Sequence, residues 1–198
     1  MTRPESAVGR YSSYIPVADL PSDQKNAKNI LKRIFDFNSN GVEYGGENAF
    51  KYLIGEMVTN IYEHSMFNNA LVMAQKYATK KYVDICFCDN GISIPGSFER
   101  AGMFFEDDFE AIGAAINGTS SKMNHERGWG MGSSARICLE GLGGSMLIAS
   151  RGGTIEFHQG NPKRYIDTDR SDYRYSGTLI SMRFPYPAPE VDVYEFTG

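Results

Sequence analysis

The chain has little cysteine: three residues in 198, at Cys86, Cys88 and Cys138, with no C-x-x-C pair. An odd, scattered set excludes a disulfide framework and the usual zinc spacings, and the three read as reduced core thiols. Histidine is equally scarce, at His64, His125 and His158. No apolar run approaches the roughly 18 residues of a membrane span, and Met1 to Arg10 lacks the apolar stretch of a secretion leader. Both absences point to a cytoplasmic protein without a membrane partner. Positive charge is not in excess either. With 20 Lys and Arg against 24 Asp and Glu, the formal net charge is -4, which argues against the basic stripe of a nucleic-acid binder.

What is present is the composition of a folded domain: 41% hydrophobic and 13% aromatic residues, where a disordered chain is depleted in both. The length suits one domain. Residues 1–21 are polar and mixed and read as an N-terminal arm or edge strand, 22–185 as the domain, and 186–198 as a proline-rich tail that leaves the core. From Ser22, a plausible N-cap, Ala27, Ile30, Leu31, Ile34 and Phe35 recur at helical spacing up to Asn40-Gly41. After Gly45-Gly46 a second helical pattern puts Phe50, Leu53, Ile54, Met57, Val58 and Ile61 on one face, with Glu56 and Asn60 off it. A third amphipathic run covers Ala70 to Tyr77. Tyr82 to Cys88 reads as a buried strand ending at Asp89. The stretch from Ile92 to Glu126 is too irregular for one element and resembles a lid with short helices. Ser133 to Glu140 is expected to be helical, and Ser145–Ser150, Thr154–His158 and Thr178–Phe184 to be strands of a meander. This order predicts an α/β two-layer sandwich: a mixed, mostly antiparallel sheet with helices on one face and a long lid.

Four short motifs stand out. Glu56-x-x-x-Asn60 stacks a carboxylate and an amide one helical turn apart, so both can address one ligand. The Asn60 oxygen is a hard ligand of the kind Mg²⁺ takes when it also holds phosphates, and Glu56 is placed to orient or deprotonate a nucleophile. In isolation the pair is also an ordinary solvated helix face. Asp89-Asn90-Gly91 follows an apolar strand; Asp89 can accept a hydrogen bond from the amino group of adenine, and Gly91 leaves room for a ring, though the tripeptide alone is a common turn. Gly128-Trp129-Gly130-Met131-Gly132 opens into a helix whose free N–H groups suit phosphates, with Lys122 and Arg127 as added charge. Gly177-Thr178 comes last.

In this order the motifs resemble the GHKL superfamily of ATP-binding domains, which share the Bergerat fold, over roughly Asn48 to Pro185. Glu56-Met57-Val58-Thr59-Asn60 with His64 is most similar to the ATP helix of anti-sigma-factor serine kinases. The resemblance implies Asn60 as the Mg²⁺ ligand, Glu56 as catalytic base, Asp89 and Gly91 as the adenine site, Gly128, Gly130, Met131 and Gly132 as the phosphate box, and Thr178 beside the adenine-binding carboxylate. It departs from the pattern at Ser93, where a further glycine is common, and at Thr119-Ser120-Ser121-Lys122. No histidine precedes the ATP helix, so autophosphorylation on histidine is not expected.

The function expected is therefore a stand-alone domain that binds Mg·ATP and hydrolyses it or transfers the γ-phosphate to a protein partner, as an ATPase or a serine/threonine kinase. The alternative is an ATP-gated interaction switch without productive chemistry. A homodimer is compatible with either.

Overall fold

The computed structural model describes residues 14–119, 129–158, 163–166 and 174–197. Seven strands form one sheet: β1 (Tyr14–Leu20), β2 (Ala70–Tyr77), β3 (Tyr82–Asp89), β4 (Ser145–Arg151), β5 (Gly153–Phe157), β6 (Lys163–Ile166) and β7 (Tyr175–Pro185), in the spatial order β1-β2-β3-β7-β4-β5-β6. All six ladders are antiparallel, as the expectation of a mixed, mostly antiparallel sheet had it in the main. Among the described residues five α-helices accompany it: α1 (Gln24–Phe37), α2 (Glu47–Asn60), α3 (Ser93–Arg100), α4 (Asp108–Ile116) and α5 (Trp129–Arg136). The architecture is an α/β two-layer sandwich.

The sheet's pleat explains the layering. Along β3, Val83, Ile85, Phe87 and Asp89 are buried while the alternating residues are partly exposed. The buried face continues through Val72 and Ala74 of β2, Ile180, Met182 and Phe184 of β7, and Met146 and Ile148 of β4. Against it lie Phe50, Leu53, Ile54, Met57 and Val58 of α2 and Phe109 and Ile112 of α4, all buried. Their spacing makes one apolar helical stripe, and each large side chain buried this way contributes about 1.5–3 kcal/mol.

Several expectations need correction. The N-cap of α1 is Asp23, whose carboxylate accepts from Lys25 N at 3.0 Å, and not Ser22. Ala70–Tyr77, grouped in the sequence with two helical runs, is a strand. The last three strands do not form a simple meander, because β7 returns to lie between β3 and β4. The C-terminal tail stays with the core: Tyr186 and Val191 are buried, and Ala188 N and Val191 N donate to Glu43 O and Gly45 O at 2.8 Å each.

The stretch from Ile92 to Thr119 is a packed wall built on α3 and α4. Arg151, in the turn between β4 and β5, donates from Nε and Nη2 to Asp108 Oδ1 at 2.8 and 2.5 Å and from Nη1 to Glu99 Oε1 at 2.7 Å. Gly152 N donates to the other Asp108 oxygen at 2.7 Å. Burial alone would raise the Asp108 carboxyl; the Arg151 and Gly152 donors outweigh it and hold the group below its ordinary value. One guanidinium, that of Arg151, thus ties both helices to the sheet. Cys138 is fully buried, and Cys86 and Cys88 are half-buried on the outer sheet face. Burial pushes the Cys138 thiol up to about 12 and Cys86 up to about 11, so both are protonated at neutral pH. No described helix is long and apolar enough to cross a membrane.

Candidate functional site

Between the helical layer and the sheet lies a cavity of about 360 Å³. Five of the motif side chains line it from four elements: Glu56 and Asn60 of α2, Asp89 at the end of β3, Met131 of α5 and Thr178 of β7, with the Gly130 backbone beside them. Residues about 120 positions apart in sequence meet because β7 pairs with β3, which sets Thr178 opposite Asp89. Lys122, Arg127 and Gly128 lie outside the described residues. Gly91 and Gly132 are close by but do not line the cavity.

Asp89 is buried, with 4% of its surface exposed. Its Oδ1 accepts from Gly91 N at 2.8 Å, and the Thr178 N–H is a second donor. Burial pushes its carboxyl above the usual range, with those two backbone donors acting in the opposite direction. Among the described residues no Lys, Arg or His forms an ion pair with it. A carboxylate offers about four acceptor positions, so two N–H groups leave capacity for a donor in the cavity.

α2 runs on into a wide π-helical turn, Ile61–Ser65, ended by Met66 in the left-handed region. Such turns recur at functional sites, and this one carries Glu63, His64 and Ser65 to the cavity wall. The turn is stitched to the Asp89 segment. Ile92 N donates to Ser65 O at 2.7 Å, and Asn90 Oδ1 accepts from Asn68 N and Asn69 N at 3.0 and 2.8 Å. Within α2, Asn60 Nδ2 is buried without a hydrogen-bond partner. An unanswered buried donor costs about 1–3 kcal/mol, and a phosphate oxygen entering the cavity would answer it.

The described glycines of the motifs are crowded by neighbouring protein atoms. A Cβ at Gly91 would overlap Ser65 O, one at Gly177 would overlap Asp89 O, and one at Gly130 would overlap the Glu56 carboxylate. At Gly132 it would come within 2.6 Å of Ile116 O. These positions are glycine because neighbouring protein atoms approach, so they hold the frame of the cavity. Glu56 in turn lies against the first turn of α5, a position of partial positive charge that favours a carboxylate. Burial keeps the nearby Tyr52 phenol neutral, and the Glu56 charge acts in the same direction.

Sequence reasoning missed the apolar walls: Tyr52, Met57, Phe87, Ile94, Phe98, Ala115 and Ile180. Periodicity could have found three of them. Tyr52 is one turn before Glu56, Phe87 is two residues before Asp89 on the same strand face, and Ile180 is two after Thr178. Met57 follows Glu56 on α2, and Ile94, Phe98 and Ala115 come from α3 and α4, which sequence pattern did not resolve as elements. Among the described residues no three His, Cys, Asp or Glu side chains cluster as metal ligands; a Mg²⁺ ion held chiefly by phosphates and water needs few.

No protein-family model, no curated protein and no solved structure matches this chain.

Proposed function

We propose that this protein is an ATP-binding domain of the GHKL type whose cavity takes Mg·ATP. The observation that carries the reading is the buried Asp89 carboxylate at the cavity wall, unpaired with any described cation, with Thr178 beside it and Asn60 and Glu56 on the opposing helix. A polar acceptor surrounded by Phe87, Ile94 and Ile180 suits a flat heterocycle with an amino edge. Asn60, with its unanswered amide donor, marks the phosphate end, where Mg²⁺ would neutralise developing charge on the phosphates. Glu56 stands one turn from Asn60 as the group that takes the proton of an attacking water or hydroxyl. The acceptor is water or a protein partner carrying serine or threonine.

Calorimetric titration with ATP, with and without Mg²⁺, tests the reading. Mg²⁺-dependent binding that is lost in Asp89→Asn is expected; wild-type protein that binds no nucleotide overturns it. Phosphate release that survives Glu56→Ala would remove Glu56 from the chemistry, whereas wild-type protein that binds Mg·ATP and releases no phosphate would leave the cavity as an ATP-gated switch.

A further inference from the structure

Behind the cavity wall, Ser150 of β4 is fully buried and sits opposite Thr178 in the ladder. Its Oγ accepts from Ile94 N at 2.8 Å, lies 2.9 Å from Thr178 Oγ1 and is 3.2 Å from Gly177 O. We propose that Ser150 is a positioning residue that fixes Thr178 as a hydrogen-bond acceptor and so selects purines carrying a 6-amino group over those carrying a 6-oxo group. The inference rests on the nucleotide reading above and deepens it.

The argument is proton accounting. A serine hydroxyl has one proton and two lone pairs. Gly177 sits at the break in the ladder, where pairing passes from Ser150 with Thr178 to Arg151 with Tyr175, and it is buried. Its carbonyl can only accept, and a buried carbonyl needs a donor. The Ser150 proton therefore goes to Gly177 O. One Ser150 lone pair takes the Ile94 N–H, which leaves the other for the Thr178 proton. That assignment satisfies all four groups.

Its consequence lies in the cavity. Thr178 has committed its only proton away from the ligand and presents lone pairs. Its ladder partner Asp89 is an acceptor when ionised. Two acceptors side by side favour an exocyclic amine and oppose an oxygen at the same position. Turning the Thr178 proton toward a 6-oxo group would leave two oxygens 2.9 Å apart with no proton between them, or force Ser150 to abandon Gly177 O. Either alternative costs an unanswered polar contact.

The test is calorimetry of Mg·ATP and Mg·ITP binding to the wild type and Ser150→Ala, with circular dichroism to verify folding. Wild type is expected to prefer ATP by roughly 100-fold and Ser150→Ala by about tenfold or less, because sites built around a specific polar partner reject its replacement strongly. Thr178→Val, which removes the acceptor and leaves the Ser150 to Gly177 bond, is expected to narrow the ratio similarly and serves if Ser150→Ala does not fold. A ratio unchanged in either folded variant, with both affinities falling together, reduces Ser150 to a structural role and overturns the inference. Wild type binding ATP and ITP equally overturns it while sparing the nucleotide site; wild type binding neither overturns both.

Discussion

Two aspartates of one strand are treated in opposite ways. Asp84 and Asp89 lie five residues apart on β3, so the pleat turns them to opposite faces of the sheet. On the outer face Asp84 is met by Arg183 of β7, with Nε and Nη2 donating to its two oxygens at 2.6 and 2.8 Å, and the guanidinium also lies 4.2 Å from the Tyr82 ring centroid. On the inner face Asp89 has only backbone N–H partners and no described cation. Asp108, partly buried at the first position of α4, follows Asp84 in being paired, with Arg151. A charge that is matched holds elements together. A buried charge left unmatched costs stability, and at the edge of a cavity that cost is explained by a ligand donor.

The largest effect expected is therefore at Asp89. Asp89→Asn should weaken ATP binding by on the order of 100-fold, the scale of a charge-assisted hydrogen bond left unmade in a buried site. The same group should mark stability. Because burial raises its folded-state pKa, the folded protein holds the proton more tightly than the unfolded chain, so its contribution is present at low pH and is lost as pH rises through the raised value. Urea unfolding followed from acid to neutral pH should show this slope in the wild type and not in Asp89→Asn. An identical profile in both would place Asp89 among ordinary surface carboxylates.

Asp108 should give the opposite sign. Its folded-state pKa is lowered, so its contribution is present above the unfolded-state value and is lost as pH falls through the folded one. Asp108→Ala removes the acceptor for Arg151 and Gly152 together, and the expected cost is about 1.5–3 kcal/mol, the range for hydrogen bonds to charged groups. Chemical denaturation at pH 7 measures it. An unchanged midpoint would mean that α3 and α4 stand without the clamp.

Gly130→Ala sharpens the contrast on the catalytic side. The new methyl would press on the end of the Glu56 side chain, which can swing away, so stability should change by less than about 1 kcal/mol. Phosphate turnover should fall by about tenfold through misplacement of the base, while ATP affinity holds. Equal losses in affinity and turnover would show that the glycine serves binding alone. Smaller still is the outer pair: Asp84→Ala should cost about 0.5–1 kcal/mol, since Arg183 is half-exposed and solvent screens such bridges. A double-mutant cycle with Arg183→Ala isolates the term.

Much of the fold was legible because most elements bury one face. β3 alternates cleanly, and α2 keeps its apolar stripe apart from Glu56 and Asn60. β2 was not legible, because Leu71 and Met73 make its outer face as apolar as the inner one of Ala70, Val72 and Ala74, which erases the period-two signal. The tail misled through its three prolines, which remove donors at 185, 187 and 189 while leaving Ala188 and Val191 to bond Glu43 O and Gly45 O in the segment before α2. α3 and α4 depend on Arg151, an anchor 43 residues from Asp108 that local pattern cannot reveal. For the site, the motifs located the polar groups. They gave no hint of the protein atoms that crowd the glycines, nor of Ser150, whose role comes from a ladder partner.

Ser93 offers the finest test. It occupies the place where the resembled family often has a third glycine, and its φ is +70°, in the left-handed region, although it is buried and carries a side chain. The conformation costs an L-residue about 1–2 kcal/mol, and the hydroxyl recovers part of that by accepting from Gly96 N at 3.2 Å. The two terms can be separated. Ser93→Ala keeps the strained backbone and loses the acceptor, whereas Ser93→Gly loses the acceptor and relieves the strain. The glycine variant should therefore be the more stable of the two by about 1 kcal/mol, and thermal unfolding of the pair checks it. An alanine variant as stable as the glycine one would mean that the backbone at this position is not strained, and that the serine is there for its hydroxyl at the cavity wall alone.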